Sequence, residues 1–438
     1  MFHQSETSQK NTLIKLYFNT IPFWQIANPL ERGLWFFFIL LKHPVILCFF
    51  MRNHYICYRF AKKTINSYMI KVLEVIRQGH VGGGESHLLD LVMGFDTDLI
   101  SPVVLSFTSG KMIDALRACG VKCYVIPTEK PFDMKVLNVL KKLICDENIR
   151  LIHAHGSRAA SNVLLLAGML HIPLVYTVHG WSFHQDQPWL IRKLRAVSEK
   201  IICNRSKKVI CVSANNKVSG EKEFGLKHAV VIENGINVRR FNPLLPFRDV
   251  RPELGIPPDD FIIGFIGRVT LQKSPLVFVE SIALAHALDS RIKGLMVGEG
   301  EMDGEVAWYI NDRHWGDIIY KVPFRSDIPE VLASINVFCL PSLWEVFSIS
   351  LLEAMSMGKP LVVTPTDGTR EVIKDRYNGL IVDYNNPNDL ANRYYELLHD
   401  EPLRKKLGAA ARLFVESRFD SCRVSKKVTD IYTGLFSH

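Results

Sequence analysis

Four side chains in the second half of the chain, two acids and two cations, stand near predicted strand and helix ends. Glu345 and Glu353 stand eight positions apart where an extended segment turns into a helix, and Arg268 and Lys273 follow a glycine-rich strand end. Carboxylates accept hydrogen bonds from hydroxyl groups, and fixed cations stabilise the charge that develops on a departing phosphate. The four residues therefore suggest a nucleotide-sugar site, with surface charges on loops as the alternative for each residue alone.

A helix should separate the two glutamates. The run SISLLEAMSMG, residues 348–358, has helical periodicity and a glycine stop, so Glu353 should lie about two turns, roughly 12 Å, beyond Glu345. That distance matches the reach from a donor sugar across the diphosphate to the ribose. Free N–H groups from Val346 to Ser348 at the start of the helix would attract negative oxygens. A solvated glutamate is the alternative for Glu353, but its neighbours in LLEAM are apolar.

Glycines and histidines supply further candidates in the first half. The loop GHVGGGESH, Gly79 to His87, would let the backbone approach a phosphate or a sugar, although a tight turn explains it equally well. It is not a P-loop, because no GK[ST] follows. His153, His155 and His179 end two strand-like runs and raise the possibility of a metal site. Because no HExxH motif or acidic cluster completes such a site, we expect no metal, and we expect His179 to contact sugar or phosphate.

Composition limits the class of protein. The chain has 438 residues, which favours two domains, and a net charge of +9, which suits a nucleic acid, an anionic membrane or a phosphorylated ligand. Nucleic acid is disfavoured because zinc-finger spacing, RNP motifs and long Lys/Arg blocks are missing. The nine cysteines form no CxxC pair, so we expect reduced thiols in the cytoplasm.

The first 67 residues differ from the rest, and we treat them as an N-terminal extension. Within them Gly33 to Met51 is almost wholly apolar but is interrupted by Lys42, His43 and Pro44. A spanning helix, a helical hairpin on the membrane surface and a soluble helical extension are all compatible with this pattern. The aromatic content and the basic flank favour contact with the inner face of the membrane.

After the extension, strand-like and helix-like runs alternate twice along the chain. The pattern predicts an α/β protein with two facing, Rossmann-like, doubly wound domains, at 68–241 and 261–415. A proline-rich linker, 242–260, joins them. A final helix, 416–438, should cross back to the first domain. Ligands of such sheets bind at the carboxyl ends of the strands, so the cleft between the domains is the expected site.

The segment from Trp181 to Lys208 is both basic and amphipathic. A solvated helix that packs on its own domain explains it about as well as a helix that docks on anionic lipid beside an acceptor site.

Taken together, the motifs resemble retaining glycosyltransferase family 4, which has the GT-B fold. The landmarks are GGGESHLLDL, TVHG, VIENGINVRRFNP, FIGRVTLQKSP, VGEGE and EVFSISLLEAMSMGKPLVVT. They keep the family's order over roughly residues 70 to 415, and Glu345 and Glu353 match its E-x7-E signature. The resemblance implies a metal-independent hexosyltransferase without a cofactor, which uses a nucleotide sugar, in the first instance a UDP-sugar.

The resemblance also implies roles for individual residues. Glu353 would bind the ribose, Glu345 the transferred sugar, and Arg268 and Lys273 the diphosphate, with His179 near the sugar. The remaining positions assigned to the donor site are Gly83, Gly84, Gly267, Gly298, Val346, Phe347 and Ser348. Gly83 and Gly84 could equally face the acceptor.

Three departures from the family pattern concern the donor and the termini. Val346, Phe347 and Ser348 replace the common Gly-Phe-Gly, TDGTREVI lacks the usual double glycine and proline, and the first seventy residues have no counterpart. The expected function is transfer to a saccharide or lipid-linked acceptor in surface polysaccharide biosynthesis. A nucleotide-sugar epimerase of GT-B fold and a catalytically silent sugar-binding partner are the alternatives.

Overall fold

The computed structural model describes residues 35–39, 46–50, 69–80, 82–183 and 187–437. From Met69 onward the chain forms one compact unit that contains two parallel β-sheets with helices between their strands. The predicted α/β architecture with two Rossmann-like domains is confirmed.

The first sheet has seven parallel strands in the order β5-β4-β3-β6-β7-β8-β9. Its strands are β3 (Ile70–Ile76), β4 (Ile100–Ser106), β5 (Lys122–Val125), β6 (Leu151–His155), β7 (Leu174–Val178), β8 (Lys208–Cys211) and β9 (Ala229–Val231). The helices that connect them are α1 (Gly83–Met93), α2 (Lys111–Ala118), α3 (Leu137–Asp146), α4 (Ser157–Met169), α5 (Trp189–Arg205) and α6 (Ala214–Phe224).

The second sheet has six parallel strands in the order β12-β11-β10-β13-β14-β15. Its strands are β10 (Phe261–Ile266), β11 (Ile292–Val297), β12 (Ile319–Val322), β13 (Val337–Leu340), β14 (Leu361–Val363) and β15 (Leu380–Ile381). The helices of this domain are α7 (Pro275–Leu288), α8 (Asp303–Asp312), α9 (Ile328–Ser334), α10 (Ile349–Ser356), α11 (Asp367–Val372), α12 (Pro387–His399) and α13 (Glu401–Arg418).

Both sheets are covered on their two faces, which is why their strands have nearly continuous apolar sequences. In β3, Leu73 and Val75 belong to one core, whereas Val72 and Ile76 belong to the core on the opposite face. All six residues of β10 are buried. This burial fixes the register of the central strands and therefore the positions of the loops at their carboxyl ends.

The last helix, α14 (Ser421–Gly434), packs against α1 of the first domain. Val424, Val428 and Tyr432 enter the core beneath that domain's sheet. The last helix therefore returns to the first domain, and it carries a buried tyrosine to the centre of the first sheet.

In the N-terminal extension the described residues correct one prediction. Residues 35–39 and 46–50 form an antiparallel pair of strands, β1 (Trp35–Ile39) and β2 (Ile46–Phe50), so the predicted helix is wrong for these residues. Aromatic and β-branched side chains favour extended backbone, and Pro44 lies between the two runs. The rest of this extension lies outside the described residues. Among the helices that the structure describes, none is long and apolar enough to cross a bilayer.

Candidate functional site

Two glycines bring the ends of neighbouring strands close together in the second domain. Gly267 follows β10 and Gly298 follows β11, and Gly298 has a φ of 140°. A β-carbon at Gly298 would lie 1.9 Å from the carbonyl oxygen of Gly267, so only glycine fits there. The two glycines form a smooth backbone surface at the carboxyl edge of the sheet, where ligands of this fold bind.

Lys273 and Glu345 meet beside this surface, although 72 residues separate them in the sequence. The Nζ atom of Lys273 lies 2.5 Å from Oε1 of Glu345, and Ser342 donates a 2.8 Å hydrogen bond to the same oxygen. Both charged side chains are buried, with 9% of Lys273 and 8% of Glu345 exposed. A β-carbon at Gly267 would lie 3.7 Å from Cε of Lys273, which places the ion pair against the glycine surface.

Arg268 is exposed at the same edge. Its positive charge acts on Glu85, in the first turn of α1. Burial raises the pKa of Glu85, and hydrogen bonds together with the charges of Arg268 and Arg77 partly oppose that effect. The cation motif of the second domain therefore faces the glycine loop of the first.

The start of α10 also lies against the first domain. Ser348 caps this helix by accepting a 3.4 Å hydrogen bond from the Leu351 N–H, and Phe347 is buried. Val346 lies close to the TVHG turn, since a β-carbon at Gly180 would lie 3.6 Å from its Cγ2 atom.

The glycine loop completes this convergence. A β-carbon at Gly83 would lie 3.8 Å from Cγ1 of Ile349, and one at Gly84 would lie 3.7 Å from Cδ2 of His179. The structure thus places the glycine loop, His179 and the start of α10 around one region between the domains.

Glu353 lies in the second turn of α10, in a different setting from Glu345. It is half-buried, and burial raises its pKa to about 8, an effect that the negative charge of Asp90 reinforces and Arg240 opposes. Burial likewise raises the pKa of Asp90 to about 6, against the effects of Arg240 and of the Asn237 N–H, which donates to the Asp90 carboxylate at 3.2 Å. Glu353 is therefore largely protonated at neutral pH.

His179 belongs to a buried hydrogen-bond chain. Its Nε2 lies 3.1 Å from Nδ1 of His155, whose Nε2 lies 2.9 Å from Glu74. The Tyr432 hydroxyl donates a 2.7 Å hydrogen bond to the other oxygen of Glu74, and His153 lies 2.5 Å from that hydroxyl. The chain runs from the last helix through β3 and β6 to the edge of the site.

The charge states in this chain follow from burial and from the Glu74 carboxylate. The pKa of Glu74 is lowered to about 2, since the neighbouring His153 and His155 outweigh its burial. Burial lowers the pKa of His155 to about 4 and that of His179 well below its usual range. An ionised Glu74 accepts from Nε2–H of a neutral His155, whose Nδ1 then accepts from Nε2–H of His179.

This geometry also bears on the metal question raised by the histidines. In the described part of the chain, nitrogen atoms of His87, His155 and His179 lie within 4.8 Å of one another, as do ligand atoms of Glu74, His153 and His155. Both nitrogens of His155 are already engaged by Glu74 and His179, so hydrogen bonds alone satisfy that residue.

The fold also brings to the site several residues to which no motif of the sequence assigns a role. Glu74 is the one carboxylate in the apolar strand β3. Because acids are seldom buried without a partner, an acid in such a run indicates a buried, hydrogen-bonded carboxylate. Asp90, Arg240 and Tyr432 gave no comparable indication, because each approaches its partner from a distant part of the chain.

Comparisons with known proteins agree with this architecture. The family model "Glycosyltransferase Family 4" matches residues 81–240, and "Glycosyl transferases group 1" matches residues 246–414. The chain is similar to the UDP-Gal:alpha-D-GlcNAc-diphosphoundecaprenol alpha-1,3-galactosyltransferase of Escherichia coli, with 26% identity over 78% of this chain and 89% of the relative.

A second curated relative is the N,N'-diacetylbacillosaminyl-diphospho-undecaprenol alpha-1,3-N-acetylgalactosaminyltransferase of Campylobacter jejuni. It is 27% identical over 76% of this chain and 91% of its own length. Among solved structures, Anabaena Alr3699/HepE in complex with UDP and glucose superposes with a TM-score of 0.73 at 20% identity, and the match covers 83% of this chain and 99% of that one. At this identity the structural likeness concerns the fold.

Proposed function

We propose, from the premise that this chain is a glycosyltransferase of GT-B fold and of the group 1/family 4 type, that it transfers a hexosyl group from a UDP-sugar with retention at the anomeric carbon. The observation that carries the proposal is the buried Lys273–Glu345 pair beside the glycine surface of Gly267 and Gly298. It puts a cation and a hydroxyl-binding carboxylate side by side, as a sugar diphosphate requires.

In this proposal the diphosphate leaves with its charge stabilised by Arg268 and Lys273. Glu345 binds hydroxyl groups of the transferred sugar, and Glu353 binds the ribose. The acceptor hydroxyl attacks from the face that the diphosphate leaves, and its proton passes to a phosphate oxygen of the donor. We assign no nucleophile, since Lys273 and Ser342 already engage Oε1 of Glu345.

We further propose that the reaction needs neither a cofactor nor an essential metal, because two side-chain cations are positioned for the leaving group. Turnover in the presence of a chelator should equal turnover without it. Strict dependence on added Mg²⁺ or Mn²⁺ would contradict this part of the proposal.

For the acceptor, we propose a saccharide linked to a membrane lipid, in the synthesis of a surface polysaccharide. The names of both curated relatives specify acceptors on a diphosphoundecaprenol carrier. The acceptor would bind to the first domain, and the site would lie on the cytoplasmic side of the membrane, where nucleotide sugars are available.

The surface of α5 supports this choice of acceptor. Leu190, Leu194, Val197 and Ile201 recur at helical spacing and are 46% to 63% exposed, whereas Ala196, Glu199, Ile202 and Cys203 face the core. An apolar stripe on the outer side of a helix is uncommon in soluble domains.

Basic side chains accompany the stripe. Lys193 and Lys200 are exposed on one side of it, and Arg205 is exposed at the end of the helix. Apolar side chains flanked by cations match a bilayer with anionic headgroups, so we propose such a surface as the occupant.

The donor assignment is tested with a panel of nucleotide sugars. A transferase should slowly hydrolyse one of them to free nucleotide, an epimerase should interconvert sugars, and a silent binding protein should do neither. Arg268→Ala should reduce turnover by about a hundredfold or more, as expected for loss of a group that stabilises leaving-group charge. Unchanged turnover in that variant would refute the assignment of Arg268.

Membrane docking is tested by flotation with vesicles that contain phosphatidylglycerol. Leu194→Glu combined with Ile201→Glu should release the protein from the vesicles, whereas Leu413→Glu, at a residue 67% exposed on α13, should not. Equal flotation of the two variants would rule out α5 as the docking surface.

A further inference from the structure

A polar cavity lies in the first domain, at the carboxyl edge of its sheet. Its volume is about 410 Å³, and it is lined by Arg77, Gln78, His80, Thr108, Thr128, Glu129 and Arg158. These residues follow strands β3, β4 and β5 or begin α4 after β6, and these four strands are neighbours in the sheet. Ligands of parallel sheets bind at this edge, and the donor residues described above do not line the cavity.

Positive charge dominates the cavity. Arg77 is exposed at its mouth, and Arg158, in the first turn of α4, is half-buried in its wall. Burial lowers the pKa of Arg158, and the nearby charges of Arg77 and Arg195 lower it further, while Glu129 opposes them. Within the described residues, neither Arg77 nor Arg158 forms an ion pair with a carboxylate. The repulsion between like charges that are held near one another decreases when an anion binds between them.

The wall that carries Glu129 is fixed in place by hydrogen bonds. The Thr128 hydroxyl donates to Asp133 at 2.7 Å, and the Asp133 N–H donates to Asn162 of α4 at 2.8 Å. Arg158 donates to the carbonyl oxygen of Glu129. The cavity is therefore shaped before any ligand binds, which lowers the entropic cost of binding.

The cavity and its surroundings also offer contacts for the chemical groups that are attached to the anion in a ligand. Glu129 and Thr108 offer oxygen atoms that can bind sugar hydroxyls. Arg195 belongs to α5, the helix whose outer side carries the apolar stripe, and it donates a 2.8 Å hydrogen bond to the Ser182 carbonyl oxygen. A ligand that is anionic in the cavity and apolar along α5 would match both surfaces.

We propose that this cavity binds the diphosphate of a lipid-linked acceptor through Arg77 and Arg158, with the lipid chain directed toward α5. This inference rests on the proposed function and deepens it, because it assigns the acceptor's anionic group to named residues. Arginine suits the role, since its planar guanidinium can donate two hydrogen bonds to one phosphate.

The test compares three kinds of synthetic acceptor, using the 438-residue chain. Common hexoses and N-acetylhexosamines are each linked to a phenoxyundecyl chain, in one series through a diphosphate and in another directly. A phenoxyundecyl glucuronide supplies a carboxylate without phosphate. The readouts are the kcat/KM for transfer and the slow hydrolysis of the donor without acceptor.

We expect the wild type to prefer the diphosphate series. Arg77→Gln combined with Arg158→Gln should lower kcat/KM on that series by about a hundredfold, through KM, because each arginine contributes charge-assisted hydrogen bonds. Donor hydrolysis should stay at the wild-type rate. Lys141→Gln combined with Lys142→Gln removes the same charge from the exposed side of α3 and should change neither readout.

Several results would overturn the assignment. One is that the wild type uses the diphosphate and direct series with equal kcat/KM, and another is that the arginine variant loses the same factor in kcat/KM on both series. Either result would show that the cavity does not bind the diphosphate. An arginine-dependent preference for the glucuronide alone would assign a carboxylate instead.

Failure of the proposed function has a different outcome, namely no hydrolysis or transfer with any nucleotide sugar. In that case, calorimetric titration with phenoxyundecyl diphosphate still decides the inference. The inference is supported if the arginine variant no longer binds this compound while the lysine variant still does. It is contradicted if both variants bind the compound equally.

Discussion

The protonation state of Glu353 predicts that the affinity for the sugar donor increases with pH. The pKa of this carboxyl group is raised to about 8, so about 9% of it is ionised at pH 7 and about 76% at pH 8.5. The proposed ribose contact needs the carboxylate, which accepts hydrogen bonds from two hydroxyl groups. Since the apparent Kd is the intrinsic Kd divided by the competent fraction, affinity should increase about eightfold between these two pH values.

The direction of this pH dependence follows from the release of a proton when the donor binds. The raised pKa means that the free protein holds a proton on Glu353, and donor binding must expel it below pH 8. Calorimetry with the UDP-sugar that the panel identifies measures both the Kd and the protons released. A UDP-sugar is suitable because its diphosphate stays doubly ionised throughout this range.

Three variants separate Glu353 from other titrating groups. Glu353→Gln should bind weakly and with no dependence on pH, and Glu305→Gln, an exposed change on α8, should keep the wild-type profile. Asp90→Asn removes a negative charge that raises the Glu353 pKa, so the increase in affinity should move to lower pH. A wild-type Kd that is constant from pH 7 to 8.5 would refute this account of Glu353.

Three further predictions concern the architecture of the site. Lys273→Met should destabilise the protein by about 3–5 kcal/mol in chemical denaturation, because it leaves the buried Glu345 unpaired, and adding Glu345→Gln should restore stability but not turnover. Gly298→Ala should lower stability by about 3 kcal/mol or more, since alanine meets a positive φ and a carbonyl oxygen 1.9 Å away. Glu74→Gln should reduce turnover by about tenfold and alter the ¹⁵N tautomer shifts of His179, because the charged acceptor at the head of the chain is lost.

Each of these predictions has an outcome that contradicts it. A Lys273→Met protein as stable as the wild type would mean that the ion pair adds nothing to the fold. Gly298→Ala with an unchanged denaturation midpoint would contradict the close approach of the two strand ends. Unaltered His179 tautomer shifts in Glu74→Gln would show that the chain does not orient that ring.

The strands of both sheets could be predicted from the sequence because parallel strands covered on both faces need short, continuous apolar runs. FIIGFI and IKGLMV are such runs, and both form central strands. The same criterion failed at residues 35–39 and 46–50, where an apolar run was interpreted as a helix and forms a strand pair. Apolarity predicts burial or pairing, but without clear periodicity it does not distinguish helix from strand.

The site could be predicted only in part. Glu345, Lys273, Gly267 and Gly298 stand in local motifs, so their types and spacing indicated them. Glu353 stands in the same motif as Glu345, whereas nothing in the sequence pointed to a role for Asp90, one polar residue on a helix of the other domain, whose charge raises the pKa of Glu353 further. Likewise, Arg77 and Arg158 are unremarkable in the sequence, and only adjacent strand ends bring them to one cavity.

The sequence by itself determined the two α/β domains and placed the acids Glu345 and Glu353 and the cations Arg268 and Lys273 near strand and helix ends. These features are local, because the periodicity of apolar residues and the presence of a glycine or a charge at a strand end each depend on only a few consecutive residues. Tertiary structure decided how those groups behave. It buried Glu345 against Lys273, withdrew Glu353 from solvent so that its pKa rises, an effect that Asp90 reinforces, and placed Glu74 within hydrogen-bonding distance of His155. Burial and neighbouring charge depend on residues distant in the chain, and they fix the protonation state on which the proposed chemistry depends.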